Sequence, residues 1–188
     1  MLNQGSRELK MRTRNAEGFA IIDLVFVCGV IAVLAMIATP RLLQARQTAG
    51  AAGAVGSLRT ISSAQLTFAL TCGAGFYAPS LRTLGTLPPG STDGFIPLSL
   101  GSADRVNRSG FAIEIAAEPV PGSPASCNGL EMGEAGQGYI AVADMITPQP
   151  EGARFFATNA NGRIYEHTSS LYEEMPEVGE PPVGALLK

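Results

Sequence analysis

Few residues in this chain could do chemistry, and they are widely spaced. Three cysteines stand at Cys28, Cys72 and Cys127, and the single histidine is His167. No CxxC spacing occurs, so zinc-knuckle and thioredoxin-like chemistry have no ligand set to start from. Cys28 lies in an apolar run and reads as a small buried hydrophobe. Cys72 and Cys127 lie in polar, Gly-rich surroundings, where an oxidising compartment would make them a disulfide pair. Cys72-Gly-Ala-Gly75 has the glycines of a phosphate loop, but no strand precedes it and no Lys-Ser/Thr follows. There is no GxSxG, and the remaining Ser, Asp and Glu residues fall mostly in turns and in the C-terminal tail. No nucleophile–base constellation emerges, so catalysis is not expected, nor is a metal or other cofactor.

One carboxylate is out of place. Asp23 sits at the edge of Leu24–Thr39, LVFVCGVIAVLAMIAT, which holds no other charge and no amide. Counted from Phe19 to Thr39 the segment has 21 residues, about 31 Å as a helix, which matches a hydrocarbon core of roughly 30 Å. Arg7, Lys10, Arg12 and Arg14 precede it, while Arg41 and Arg46 follow. That asymmetry places the N-terminus in the cytoplasm and the bulk of the chain outside. An ordinary cleaved secretory signal fits poorly, because the run is long and no small-x-small site follows it directly. A plain anchor, with Asp23 among the headgroups, also fits the segment.

Residues 14–46, RNAEGFAIIDLVFVCGVIAVLAMIATPRLLQAR, closely resemble the signal of type IV prepilins and type II secretion pseudopilins. That family carries a short basic leader ending in Gly, then Phe, an acidic fifth mature residue, an apolar helix and a Pro beyond it. Here these are Gly18, Phe19, Asp23 and Pro40. The resemblance implies that a prepilin peptidase cuts between Gly18 and Phe19 and methylates the Phe19 amine. The helix is then retained and packs into a filament. Asp23 departs from the usual Glu by one methylene. In the family this carboxylate meets the N-terminal amine of a neighbouring subunit, which would relieve the cost of a charge in hydrocarbon.

The remaining elements follow from pattern. Pro40 cannot donate a backbone hydrogen bond, so a kink or break is expected there. Residues 41–71 place Ala51, Val55, Leu58, Ile61, Ala64 and Phe68 at spacings of three and four, an amphipathic helix with one apolar stripe. Gly50, Gly53 and Gly56 interrupt it, serving either close packing or a soft helix. Residues 72–109 read as loop. Four strands are predicted at 110–118, 138–145, 154–159 and 162–167, with Asn161-Gly162 as a hairpin turn between the last two.

The expected fold is therefore α+β: a long N-terminal helix packed on an antiparallel sheet of about four strands. Its parts are a basic leader (1–18), a membrane or filament-core helix (19–39), its amphipathic continuation (40–71), a head (72–167) and an acidic tail (168–188). The tail holds Glu173, Glu174, Glu177 and Glu180 among prolines and glycines, lacks a calcium-loop pattern and reads as disordered or loosely attached. The arrangement of the head also resembles pilins, more weakly than the N-terminal segment does.

Net charge is −3, and without residues 1–18 it is −5, nine basic against fourteen acidic side chains. A nucleic-acid partner is not expected. The resemblance implies a structural subunit held in a bacterial inner membrane, then assembled into an extracellular pilus or a periplasmic secretion pseudopilus. Its partners would be copies of itself, other pilins, the prepilin peptidase, the inner-membrane assembly machinery and, before assembly, lipid. The alternative from another class is a single-pass membrane-anchored enzyme or ligand-binding domain.

Overall fold

The computed structural model describes residues 21–147 and 152–187. The chain is α+β, with a long helix α1 (Ile21–Thr71) followed by α2 (Leu81–Gly85), α3 (Leu98–Gly101) and a six-stranded antiparallel sheet. The strands are β1 (Arg105–Arg108), β2 (Phe111–Ala116), β3 (Ile140–Met145), β4 (Phe155–Asn159), β5 (Ile164–His167) and β6 (Ala185–Leu186), in that spatial order. By contacts the chain falls into two compact units, Met1–Gln44 and Ala45–Lys188.

Helix α1 runs through Pro40 without a break, contrary to one of the two outcomes expected from its missing donor. The Thr39 hydroxyl donates to the Ala35 carbonyl at 2.7 Å, adding a side-chain bond in the turn where the proline removes a backbone one. The first buried residue of α1 is Gly50. From there Ala51, Ala54, Leu58, Ile61, Ala64 and Phe68 are buried at helical spacing. They pack on Ile113, Ile115, Ala141, Ala143 and Phe156 of the sheet's inner face. Of Gly50, Gly53 and Gly56, the first serves close packing: a Cβ there would lie 2.7 Å from the Ser109 carbonyl oxygen, so the β1–β2 turn approaches the helix too closely for a side chain. A Cβ at Gly53 would lie 3.0 Å from the Ser109 hydroxyl, a tight contact with a movable group. A Cβ at Gly56 would meet nothing.

The four expected strands are present as β2 to β5. The Asn161-Gly162 turn joins β4 to β5, with Gly162 at φ 71° and its N–H donating to the Asn159 carbonyl at 2.8 Å. The sheet has six strands rather than about four. β1 and the two short helices lie inside 72–109, which reads as loop in the sequence. β1 is an edge strand, Arg-Val-Asn-Arg, and its register is set by pairing with β2 rather than by apolar alternation. β6 lies in the acidic tail, pairing with Tyr165 and Glu166 of β5.

The tail is therefore a correction: it is attached, not loose. Leu171 and Met175 are buried against Ile140, Val142, Ala157 and Tyr165, on the face of the sheet opposite α1. The Asn159 side-chain amide donates to the Pro176 and Gly179 carbonyls at 2.8 and 2.7 Å. The Ala160 N–H donates to the Glu177 carbonyl, and a Glu177 carboxylate oxygen accepts from the Glu118 N–H. Acidic composition suggests a solvated segment, but two apolar side chains four residues apart and three backbone carbonyls suffice to hold it as a strap.

Candidate functional site

In the first unit, every described residue of α1 from Ile21 to Gln44 is exposed. Ile21 is 82% exposed, Phe26 72% and Met36 77%. Exposed apolar surface of this extent is unfavourable in water. It is long and apolar enough to cross a membrane, and none of its most apolar stretch is buried within the chain. Asp23 lies in its first turn and is exposed. Cys28 is exposed as well, a correction to the buried reading. Gly18 and Phe19 lie outside the described residues. Pro40 is inside α1, at the far end of the apolar stretch.

The second unit is tied together by a disulfide, which the sequence suggests, and by buried side-chain amides, which it does not announce. Cys72 and Cys127 form a disulfide, with Cα atoms 4.9 Å apart and a sequence separation of 55. It joins the C-terminal end of α1 to the loop after β2. Closing a loop of that length stabilises by about 4 kcal/mol in the chain-entropy model. Gln65 is fully buried in α1 and bridges to the loop beyond it. Its amide donates to the Ala78 carbonyl at 2.8 Å and accepts from the Ala78 N–H at 2.9 Å. Asn128, beside Cys127, donates to the Thr83 carbonyl at 2.6 Å.

Arg154 and Glu166 pair across the β4–β5 hairpin, with Nη2 donating to Oε2 at 2.8 Å, and the guanidinium lies 5.1 Å from the centre of the Phe156 ring. The hydrogen bond from Arg154 holds the Glu166 carboxyl below its ordinary range. Burial pushes the Tyr139 hydroxyl up to about 12, so it stays protonated at any physiological pH.

Asp144 and His167 sit near serines in separate pairs. Asp144 accepts from Ser170 at 2.7 Å, and the His167 ring pairs with Ser169 at 2.9 Å. Among the described residues no group of three or more His, Cys, Asp or Glu side chains is placed to hold a metal ion.

The chain matches no family model, no curated protein and no solved structure. Its reading therefore rests on its own residues.

The structure brings together the cysteine pair and places Asp23 and Pro40 at opposite ends of one apolar stretch. Gln65 was not singled out in the sequence, although its place on the apolar stripe beside Ala64 and Phe68 was a signal that it had a buried partner. Leu171 and Met175 were likewise missed, though their spacing of four within an otherwise polar tail marks a docking turn.

Proposed function

We propose that this chain is a structural subunit of a type IV pilus-like filament. It is held by α1 in a bacterial inner membrane with its N-terminus in the cytoplasm, then assembled by helix packing. One observation carries this reading. Helix α1 is continuous from an uncovered apolar stretch into a head whose core it helps to build. A helix that only anchored an independent enzyme would need no such continuity. A filament subunit needs it, because the helix must transmit the packing of the filament core to the head. The resemblance of residues 14–46 to prepilin signals adds a processing site at Gly18–Phe19 and a docking carboxylate at Asp23. The disulfide supports a head that matures in an oxidising compartment.

In this reading the apolar stretch exchanges lipid for neighbouring helices, where burial contributes about 25 cal/mol per Å² of apolar surface. The Phe19 amine of one copy meets the Asp23 carboxylate of the next. A secretion pseudopilus and an extracellular pilus use the same arrangement, and the reading covers both. The mature N-terminus tests it. Mass spectrometry of the membrane or filament form should show a chain that starts at methylated Phe19. An unprocessed Met1, or a cut near Ala51, would overturn it.

A further inference from the structure

On the α1 side of the sheet, the end where β1 turns into β2 leaves its basic residues uncompensated. Ile113 and Ile115 of β2 pack toward α1, so Glu114 between them lies on the other face. Asp144 lies on that other face too, where it accepts from Ser170 of the strap. Glu166 stands opposite Phe156 on the α1 side, but Arg154 holds it, with Nη2 donating to Oε2 at 2.8 Å. Arg108 is opposite the buried Phe111 and donates to the Ser99 hydroxyl at 3.3 Å, and among the described residues it has no acidic partner. Arg46 of α1 is exposed and likewise makes no ion pair among the described residues.

Arg46 borders a cleft of about 390 Å³ where α1 enters the head, lined also by Gly50, Ser109, Phe111, Met145 and Ile146. Its walls are mostly apolar, and Ile146 is 49% exposed. Apolar walls beside an uncompensated guanidinium suit an amphiphile with an anionic head. The level of the cleft along α1 indicates which one. Arg41 and Arg46 stand about 3 and 10 Å beyond Thr39, the last residue of the apolar stretch, at the rise of an α-helix. The headgroup layer is roughly 5–7 Å deep on each side of the hydrocarbon core. Arginine stems bend back toward a membrane surface, so both guanidinium groups can meet lipid phosphates.

We infer that this cleft seats the headgroup of an anionic phospholipid from the membrane that α1 spans, with the phosphodiester on Arg46 and the group it carries outward against Met145 and Ile146. This rests on the membrane-held stage of the proposed function and adds a contact to it: the head touches the bilayer before assembly. The contact does not compete with helix packing, because it is given up when α1 leaves the bilayer. Anionic lipid is favoured over neutral lipid because each arginine near the surface strengthens the attraction about fivefold.

Fluorescence of the full-length chain in vesicles tests this. In a Cys28→Ala background, Thr147→Cys at the cleft takes an environment-sensitive maleimide dye, since Cys72 and Cys127 are joined in the disulfide. Flotation with vesicles of phosphatidylcholine, alone or mixed with phosphatidylglycerol, first shows that α1 is inserted. The dye emission should shift to the blue with phosphatidylglycerol and not without it, at any protein-to-lipid ratio. Arg46→Gln should raise the phosphatidylglycerol content needed for half the shift about fivefold. Arg46→Lys should stay near the parent, and Arg59→Gln, farther along α1, should change nothing. Equal emission in both vesicle types, or an Arg46→Gln variant that matches the parent, overturns the site. A shift that grows with protein density would put a second copy in the cleft, and one reproduced in neutral vesicles by inorganic phosphate would make the ligand a free anion; either result also overturns it. Flotation without a shift leaves the membrane reading standing and removes this one, whereas failure to float overturns both.

Discussion

Asp23 stands in the first turn of α1 beside Ile21, Ile22 and Leu24, all of them exposed and apolar. Among the described residues it is the only acid on the helix, and in the filament reading its partner is a neighbour's Phe19 amine. Asp23→Ala should leave leader cleavage intact and impair assembly. The amine would be left buried and unpaired, at roughly 3–5 kcal/mol for a broken buried pair. Sheared-filament yield, measured beside membrane levels of the mature chain, checks this, and a normal yield would remove the docking role. Gln65 poses the same question inside the head, with its geometry in view. Its amide satisfies both backbone groups of Ala78. Gln65→Ala would strand a buried N–H and a buried C=O, a cost of about 3 kcal/mol. The urea midpoint of the detergent-solubilised chain should fall with its slope unchanged. A shift of less than about 1 kcal/mol would mean that water replaces the glutamine.

Among the elements, the β4–β5 hairpin carries an ion pair whose acid is shifted from its ordinary value. Glu166 is held below its ordinary value chiefly by the hydrogen bond from Arg154, so folding favours its charged form. The sign follows: the contribution is present above the unfolded carboxyl range and is lost as pH falls below about 4. Both side chains are partly exposed, which keeps the effect small. Glu166→Gln should flatten the loss of thermal stability on acidification below pH 5. A variant as acid-sensitive as the parent would place that loss elsewhere. This hairpin was legible in sequence because Phe155 to Asn159 and Ile164 to His167 flank a turn that only a few residue types can make. β2 and β3 were legible through their apolar runs. β1 was not, because an edge strand of Arg, Val and Asn carries no alternation and gains its conformation from its neighbour. The strap was hidden for another reason. Four glutamates, with prolines and glycines, dominate the composition of the tail, while its attachment depends on Leu171, Met175 and an amide contributed from elsewhere, Asn159. Asp23, Pro40 and the two cysteines could be found by type and spacing.

At the scale of the whole molecule, the chain separates into a stretch long and apolar enough to cross a membrane and a head that holds its own core and disulfide. Folding of the head should therefore not depend on what happens at the N-terminus, whereas assembly should. Gly18→Glu separates the two. A peptidase that needs a small residue before the cut would leave this variant as a precursor, with its basic leader still attached and no free Phe19 amine. The apolar stretch and its flanking arginines are unchanged, so the precursor should still insert with the head outside. There the head should fold, and Cys72 and Cys127 should oxidise as in the parent, because every group that positions them lies in the head. Filaments should be missing, since Asp23 of each copy would have no amine to meet. The measurements are an anti-head blot of membranes and sheared material, thiol alkylation with and without reduction, and the mass of the N-terminal peptide. Precursor in the membrane, alkylation at Cys72 and Cys127 only after reduction, and nothing in the sheared fraction is the expected pattern. Filaments built from uncleaved chains would show that assembly does not use the amine. Free thiols at Cys72 and Cys127 would show that the head does not mature independently of processing, and the division of labour argued here would fail.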